Sequence, residues 1–368
     1  MKAIDLFCGC GGLTLGLKNA GYKVVGAVDI EPVAVKTYKD NHPDVHVWST
    51  DIRKLKGQEI FKKLNIRRGQ LDLLAGCPPC QGFSRLTTLN GSKIADETRQ
   101  EQNDLVFEFL RLVKVLRPKA IMMENVPGLY TDDRLNTFLK VLNSLGYHSK
   151  REDVVQVLNV ADYGVPQRRR RMILMTTRVG KVDFAEPLPV RRTVRNTIAD
   201  LPLAGESGDV LHDLANNRTE ALLQRLADTP INGGSRADLP IDKQCGCHVG
   251  EDGQDKKMFR DTYGRMSWDE VSPTMTSGCN NPSKGRFTHP EYNRSITLRE
   301  AALLQSFPFN YRFSLDKGRT GVALMIGNAL PPEFIEVQAL QIGVALNRPR
   351  KRKKKGLDLN ADVTETVY

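Results

Sequence analysis

Residues 76–84 read Gly-Cys-Pro-Pro-Cys-Gln-Gly-Phe-Ser and directly follow the short apolar run Leu71–Ala75. A cysteine on a loop at the carboxyl end of a strand is a candidate nucleophile once its thiolate is stabilised, and Pro78 and Pro79 stiffen the approach to Cys80. The spacing Cys77-x-x-Cys80 also fits a redox dithiol or half a zinc site, for which Cys8 and Cys10 would nominally complete four ligands. A thioredoxin-like chain would be much shorter and would not continue with Gln81-Gly82-Phe83-Ser84, so Cys80 is read as the reactive thiol and Cys77 as packing. Glu124 ends the apolar run that starts at Ala120; beside Cys80 in a cleft it would be a proton donor if its pKa were raised, and otherwise it is an ordinary strand-end acid. Gln167 is followed by four arginines, of which Arg169 and Arg171 share a face of an extended chain. Their mutual repulsion would be relieved by an anionic ligand, and a solvated basic edge is the alternative.

A second constellation lies at the start of the chain. Cys8-Gly-Cys-Gly-Gly12 joins a strand-like stretch, Lys2–Phe7, to a helix-like one, Leu13–Ala20. Glycines there permit a tight turn and close approach of a ligand to the backbone. Asp29 closes the valine-rich stretch from Tyr22, where the ribose of a nucleoside is usually gripped. By themselves these features read as a nucleoside-type cofactor site or as a plain tight turn.

Strand-like and helix-like stretches alternate through the first half, which implies a parallel, doubly wound sheet with ligands beyond the carboxyl ends of its strands. Asp104–Leu116 carries Leu105, Val106, Phe109, Leu110, Val113 and Leu116 on one helical stripe, and Arg171–Thr177 is a further strand. From 178 the periodicity degrades, and 185–290 is rich in proline, glycine, asparagine and aspartate. Regularity returns at Thr297-Leu-Arg-Glu300, a capping box opening a helix through Gln305, and Pro331-Pro332 starts a last helix to Leu346.

The 368 residues exceed one typical domain, and 40% hydrophobic with 26% charged residues is a globular rather than a disordered balance. No run of about 18 apolar residues spans a membrane. Glycines interrupt the N-terminus before a signal core, so the seven cysteines are expected as reduced thiols in a cytoplasmic chain. The net charge of +11 permits a polyanionic partner, but 178–290 carries −1, so any nucleic-acid face there must be patterned. Seven of the eight residues 348–355 are basic, read as a solvated, disordered tail, with a nucleic-acid clamp as the sharper alternative.

Six blocks now stand in order: DLFCGCGG, GCPPCQGFS, MENVPG, QRRRR, RSITLREAALLQSFP and GNALPP. Together they resemble the cytosine carbon-5 DNA methyltransferases, over about 1–177 and 260–346. The resemblance implies a Rossmann-like, doubly wound α/β domain dependent on S-adenosyl-L-methionine, plus a smaller irregular target-recognition domain. The expected division is 1–177 catalytic, 178–293 target recognition, 294–347 returning to the catalytic domain, and 348–368 tail. It further implies that Cys80 attacks carbon 6 of a flipped-out cytosine, that Glu124 protonates or hydrogen-bonds N3, and that Arg169 holds the base and cysteine loop with Arg171 beside it.

For the cofactor, the resemblance implies Phe7, Gly9, Gly11, Gly12 and Pro78 along the methionyl end. It places Asp29 at the ribose, Ile30 against the adenine, Asp51 and Ile52 at the adenine edge, and Asn328 completing the pocket. Candidate DNA contacts are Gln81 and Ser84 and, in the recognition segment, Arg260, Tyr263, Arg265, Lys284 and Arg286, for which a structural role is an equal alternative. No metal is expected, because the three ligands of Cys245-Gly-Cys247-His248 stand too close in sequence to fit one tetrahedral ion readily. Double-stranded DNA is the expected partner of a nucleoid-associated monomer, paired with a restriction endonuclease it need not touch. A compact chain of this kind looks prokaryotic. An RNA-directed enzyme is the runner-up, opposed by the size of 178–290, since sequence readout on DNA needs such a domain. The redox or zinc reading gives Glu124 and Gln167–Arg171 no role.

Overall fold

The computed structural model describes residues 1–79, 104–214, 218–250, 252–254, 256 and 260–348. Its centre is a seven-stranded sheet of β1 (Lys2–Leu6), β2 (Lys23–Asp29), β3 (His46–Ser49), β4 (Leu73–Gly76), β5 (Ala120–Asn125), β6 (Val155–Asn159) and β7 (Arg170–Thr177), in the order β3-β2-β1-β4-β5-β7-β6. Helices separate the early strands: α1 (Gly12–Asn19), α2 (Pro32–Asn41), α3 (Gly57–Leu64), α4 (Leu105–Leu116) and α5 (Asp133–Ser144). The stripe anticipated on α4 is the buried one, with Val106, Phe109, Leu110, Val113 and Leu116 all at most 3% exposed.

Strands β1 to β5 pair in parallel, as the alternation requires, but β7 pairs antiparallel with both β5 and β6. The expectation of a parallel sheet fails at this edge for a simple reason. Only residues 160–169 join β6 to β7, too short a link for a crossover, so the chain turns back on itself. The reversal matters for chemistry, because the amino end of β7 now lies at the same edge as the carboxyl ends of β1, β2, β4 and β5.

Two apolar layers cover the sheet. One contains α4 and α5 residues with Ile121, Met123 and Leu174; the other contains Leu13, Leu17, Ile173, Met175, Phe334, Ile335 and Ile342. The second layer is closed by the end of the chain. After α6 (Glu220–Asp228) come α7 (Leu298–Leu304), α8 (Gly318–Asn328) and α9 (Pro332–Asn347), and α9 lies against α1. The capping box of α7 is formed, with Thr297 Oγ1 accepting from Glu300 N and Glu300 Oε2 accepting from Thr297 N. A third cluster joins Val194, Leu211, Met266, Met275 and Phe287 to Ile296, Leu304 and Ile326. Among the described residues no helix is long and apolar enough to cross a membrane.

The α1–α9 contact is close enough to dictate glycine. A methyl group on Gly16 would lie 2.4 Å from Pro332 O and 2.6 Å from Ile335 Cβ. Gly→Ala inside a helix normally stabilises by about 1 kcal/mol. At Gly16 the sign is expected to reverse, with Gly16→Ala destabilising by about 1–3 kcal/mol through overpacking. Denaturant melts of the two proteins check this.

Candidate active site

The strand registers bring the chemical residues together. Gly76 pairs with Met123, so the next residue on each chain, Cys77 and Glu124, stand side by side, and Cys77 Sγ donates to Glu124 Oε2 at 2.5 Å. On the other side of β5, Glu124 is opposite Ile173. Arg171, two residues earlier on β7, projects from the same face, and its Nε reaches 2.8 Å from Glu124 Oε1. The carboxylate is 3% exposed and the guanidinium 15%, so this ion pair is little screened by water. Asn125, on the opposite face, donates its Nδ2 to Pro78 O at 3.1 Å and thereby ties down the stiff segment that ends at Pro79. Cys80, Gln81 and Ser84 lie outside the described residues.

Arg169 is deeply buried, and its Nη1 donates to Met275 O and Gly327 O, both at 3.0 Å. Gln167, fully buried, donates to Gln305 Oε1 at 2.7 Å and accepts from Met275 N at 2.9 Å. Gln305 in turn donates to Ile326 O and Ala329 O. The Gln-Arg-Arg-Arg-Arg run thus divides its labour. Arg171 meets the carboxylate, while Gln167 and Arg169 join β7 to the loop at 275 and to the segment 304–329.

At the other half of the same edge, Asp29 ends β2 with Oδ2 accepting from Gly9 N at 2.8 Å and Oδ1 from Glu31 N at 2.9 Å. Burial raises its pKa above the usual carboxylate value, against these backbone hydrogen bonds. Beside it, Ile30 is an apolar side chain left 64% exposed. Gly9 has φ +51° and open space where a side chain would project. Phe7, between β1 and the turn, also takes a positive φ of 61°, which a non-glycine residue adopts only when its surroundings impose it. Gly11 and Gly12 serve a different need. A methyl group on Gly11 would strike His42 and Tyr311, and one on Gly12 would lie 2.4 Å from Leu330 O. Asn328 ends α8 with its side chain exposed. Ile52 turns into the core, and Asp51 is held by Arg53 through its Nε and Nη2, which keeps the carboxyl below its usual pKa.

An exposed apolar side chain, a carboxylate and an open glycine turn thus stand at one half of the sheet edge, and the paired Glu124 and Arg171 at the other. A sequence profile described as C-5 cytosine-specific DNA methylase matches residues 1–343. The chain belongs to the C-5 cytosine-specific DNA methylase family. It is 36% identical to the Type II methylase M.HgiDII of Herpetosiphon aurantiacus, over 95% of this chain and 97% of that one. The Type II methyltransferase M1.HphI of Haemophilus parahaemolyticus is 35% identical, over 89% of this chain and 83% of its own. Among solved structures, a putative DNA modification methyltransferase encoded within an E. coli prophage is similar at TM-score 0.62 and 25% identity, covering 94% of this chain and 99% of that one.

Within this C-5 methylase, two of the candidate DNA-contacting arginines are spent elsewhere. Arg265 is fully buried, and its guanidinium donates to Leu226 O, Thr229 O, His289 O, Glu291 O and Tyr292 O. Arg286 donates to Gly233 O, Gly234 O and Arg265 O and pairs with Asp261. The irregular segment has few ladders to satisfy its carbonyls, and planar five-donor side chains do that work instead. Arg265 is therefore a strut, not a DNA contact. Arg260 and Lys284 are exposed. The redox and zinc reading of the first cysteines also loses its basis. Cys8 and Cys10 are buried, desolvation drives both thiol pKa values up, that of Cys10 to about 12, and Cys77 is engaged by Glu124. Cys77 packs against the core as its type suggests, and its contact with Glu124 follows from the β4–β5 register.

Asp5 is a buried acid that residue type alone did not single out. It is fully buried on β1, Thr14 Oγ1 donates to its Oδ2 at 2.7 Å, and Tyr38 OH lies 2.8 Å from that hydroxyl. Burial, incompletely offset by the Thr14 hydrogen bond and reinforced by Asp29, raises its pKa from 3.8 to about 8. The folded chain therefore holds a proton at Asp5 that the unfolded chain releases. The stability this contributes is complete below pH 3.8 and is lost as pH rises to about 8. Asp5→Asn is expected to be more stable than the parent above pH 8, with the difference closing toward pH 4, in thermal melts across that range.

Proposed function

We propose that this protein methylates carbon 5 of a cytosine within a specific duplex DNA sequence, with Cys80 as the nucleophile. The observation that carries the reading is the juxtaposition of Glu124, Arg171 and the tethered Pro78–Pro79 segment at one sheet edge, one residue before Cys80. A cytosine stacked in a duplex is out of reach of buried side chains such as Glu124, so the base must be extruded. The Cys80 thiolate adds to carbon 6, and Glu124 supplies a proton or hydrogen bond at N3, so the electron pair accumulates at carbon 5. S-adenosyl-L-methionine supplies the methyl group. Loss of the carbon-5 proton then expels the thiolate and restores the aromatic ring. Arg171, 2.8 Å from Glu124, orients the carboxylate.

Asp29, Ile30, Phe7 and the open Gly9 turn hold the cofactor in this reading, with Asn328 and Pro78 at the margin. Gly11 and Gly12 support the turn by admitting the C-terminal segment. Residues 178–293 act as the target-recognition domain, with exposed Arg260 and Lys284 as DNA contacts, and 294–347 complete the catalytic domain. The Type II relatives support a protective role in a restriction–modification system, and in this reading the chain acts as a monomer.

Cys80→Ser is expected to abolish methyl transfer while cofactor affinity stays near that of the parent, since the thiolate meets the base. Glu124→Gln is expected to lower turnover by about 10²–10⁴-fold, the range of a lost acid–base group. Transfer assays beside calorimetric cofactor titration check both. Comparable methyl transfer by Cys80→Ser would refute the covalent mechanism.

A further inference from the structure

From Pro240 to Gln254 no described side chain is buried, yet the chain makes two ordered 3₁₀ turns, Ile241–Lys243 and Gly246–His248. Ordering backbone costs about 1–2 kcal/mol per residue, and a loop that buries no side chain has little to offset it. Hydrogen bonds hold its ends. The buried Arg236 donates to Gln244 Oε1 at 3.0 Å and to Lys256 O at 2.7 Å, and Lys256 donates its N–H to His248 O and its Nζ to Cys247 O.

These ties frame three metal-ligating side chains. One ligand atom from each of Cys245, Cys247 and His248 lies within 4.8 Å of the others. In a 3₁₀ turn residues i and i+3 eclipse, and His248 N donates to Cys245 O at 2.8 Å, so the turn itself stacks the first and last ligands. That geometry removes the crowding objection raised by their spacing. Zinc bonds of about 2.3 Å to sulfur and 2.0–2.1 Å to nitrogen set tetrahedral edges of roughly 3.5–3.8 Å, about 1 Å inside the 4.8 Å limit within which the three ligand atoms lie. The Tyr263 ring stands 6.1 Å from that of His248, and the Arg225 guanidinium lies 5.1 Å from the centre of the Tyr263 ring.

We propose that Cys245, Cys247 and His248 bind one zinc ion, with water in the fourth position, as the staple of this loop. Binding turns both thiols into thiolates, releases their two protons to solvent and takes His248 as the neutral ligand. The site contributes no group to methyl transfer, so its test is independent of that chemistry.

The experiment is metal analysis of the full-length, untagged protein, followed by chelation and titration with Co²⁺. One zinc per chain is expected, and Co²⁺ should give thiolate-to-metal charge transfer with tetrahedral d–d absorption. Cys245→Ser and Cys247→Ser should each weaken Co²⁺ binding by more than about 100-fold, beyond what an outer-shell partner is worth, while Cys80→Ser keeps it. Circular dichroism separates lost metal from lost fold, and if a serine variant does not fold, the cobalt spectrum of the parent protein decides. Protein that carries no zinc and gives no thiolate–cobalt band overturns the site. So does binding that survives both serine substitutions or disappears in Cys80→Ser.

Discussion

A guanidinium buried among carbonyl groups holds the separate stretches of this chain together. Arg169 approaches from the amino end of β7 and donates to Met275 O and Gly327 O, groups far apart in sequence. A charge withdrawn from water is tolerated only where hydrogen bonds replace its hydration, so these carbonyls have little freedom to move away. Gln167 and Gln305 extend the same junction, their amides bonding to each other and to backbone groups of the 275 loop and the end of α8. The loop near 275 and the turn after α8 are thereby set relative to the sheet. The glycines of the first turn then complete the assembly, since Gly11, Gly12 and Gly16 have no room for a side chain beside Tyr311, Leu330 and Pro332.

This junction and the reversed direction of β7 create the polar edge. Parallel strands deliver Asp29, the Gly9 turn, Cys77 and Glu124 at their carboxyl ends, and the antiparallel strand delivers Arg171 to the same place from its amino end. Among the described residues, the side chains shown to touch the carboxylate, Cys77 and Arg171, are placed by strand register. Preorganisation of that kind costs nothing at the moment of reaction, which is where an acid–base group is most useful.

Much of this was legible in the residues. The glycine turn with Asp29, the stripe on α4 and the Thr297–Glu300 box each rest on local spacing, and local spacing survives into the fold. What could not be read depended on partners distant in sequence. The pairing of Gly76 with Met123 makes Cys77 a neighbour of Glu124, and no property of a lone cysteine reveals it. The direction of β7 follows from the strand at 155–159, five residues too short and too mixed to stand out before its partner was known. Arg265 shows the limit most plainly. Its type left a DNA contact and a structural role equally open, and burial among the carbonyls of an irregular segment decides for the second.

The central claim, cytosine methylation on DNA, is tested most directly by methyl-tritium transfer from S-adenosyl-L-methionine to mixed-sequence duplex DNA, with bulk transfer RNA in parallel. The account predicts label in DNA, recovered as 5-methylcytosine, and none in RNA. Label confined to RNA would keep the chemistry and contradict the substrate, and label in neither would contradict the assignment of the Glu124–Arg171 edge as a methyl-transfer site.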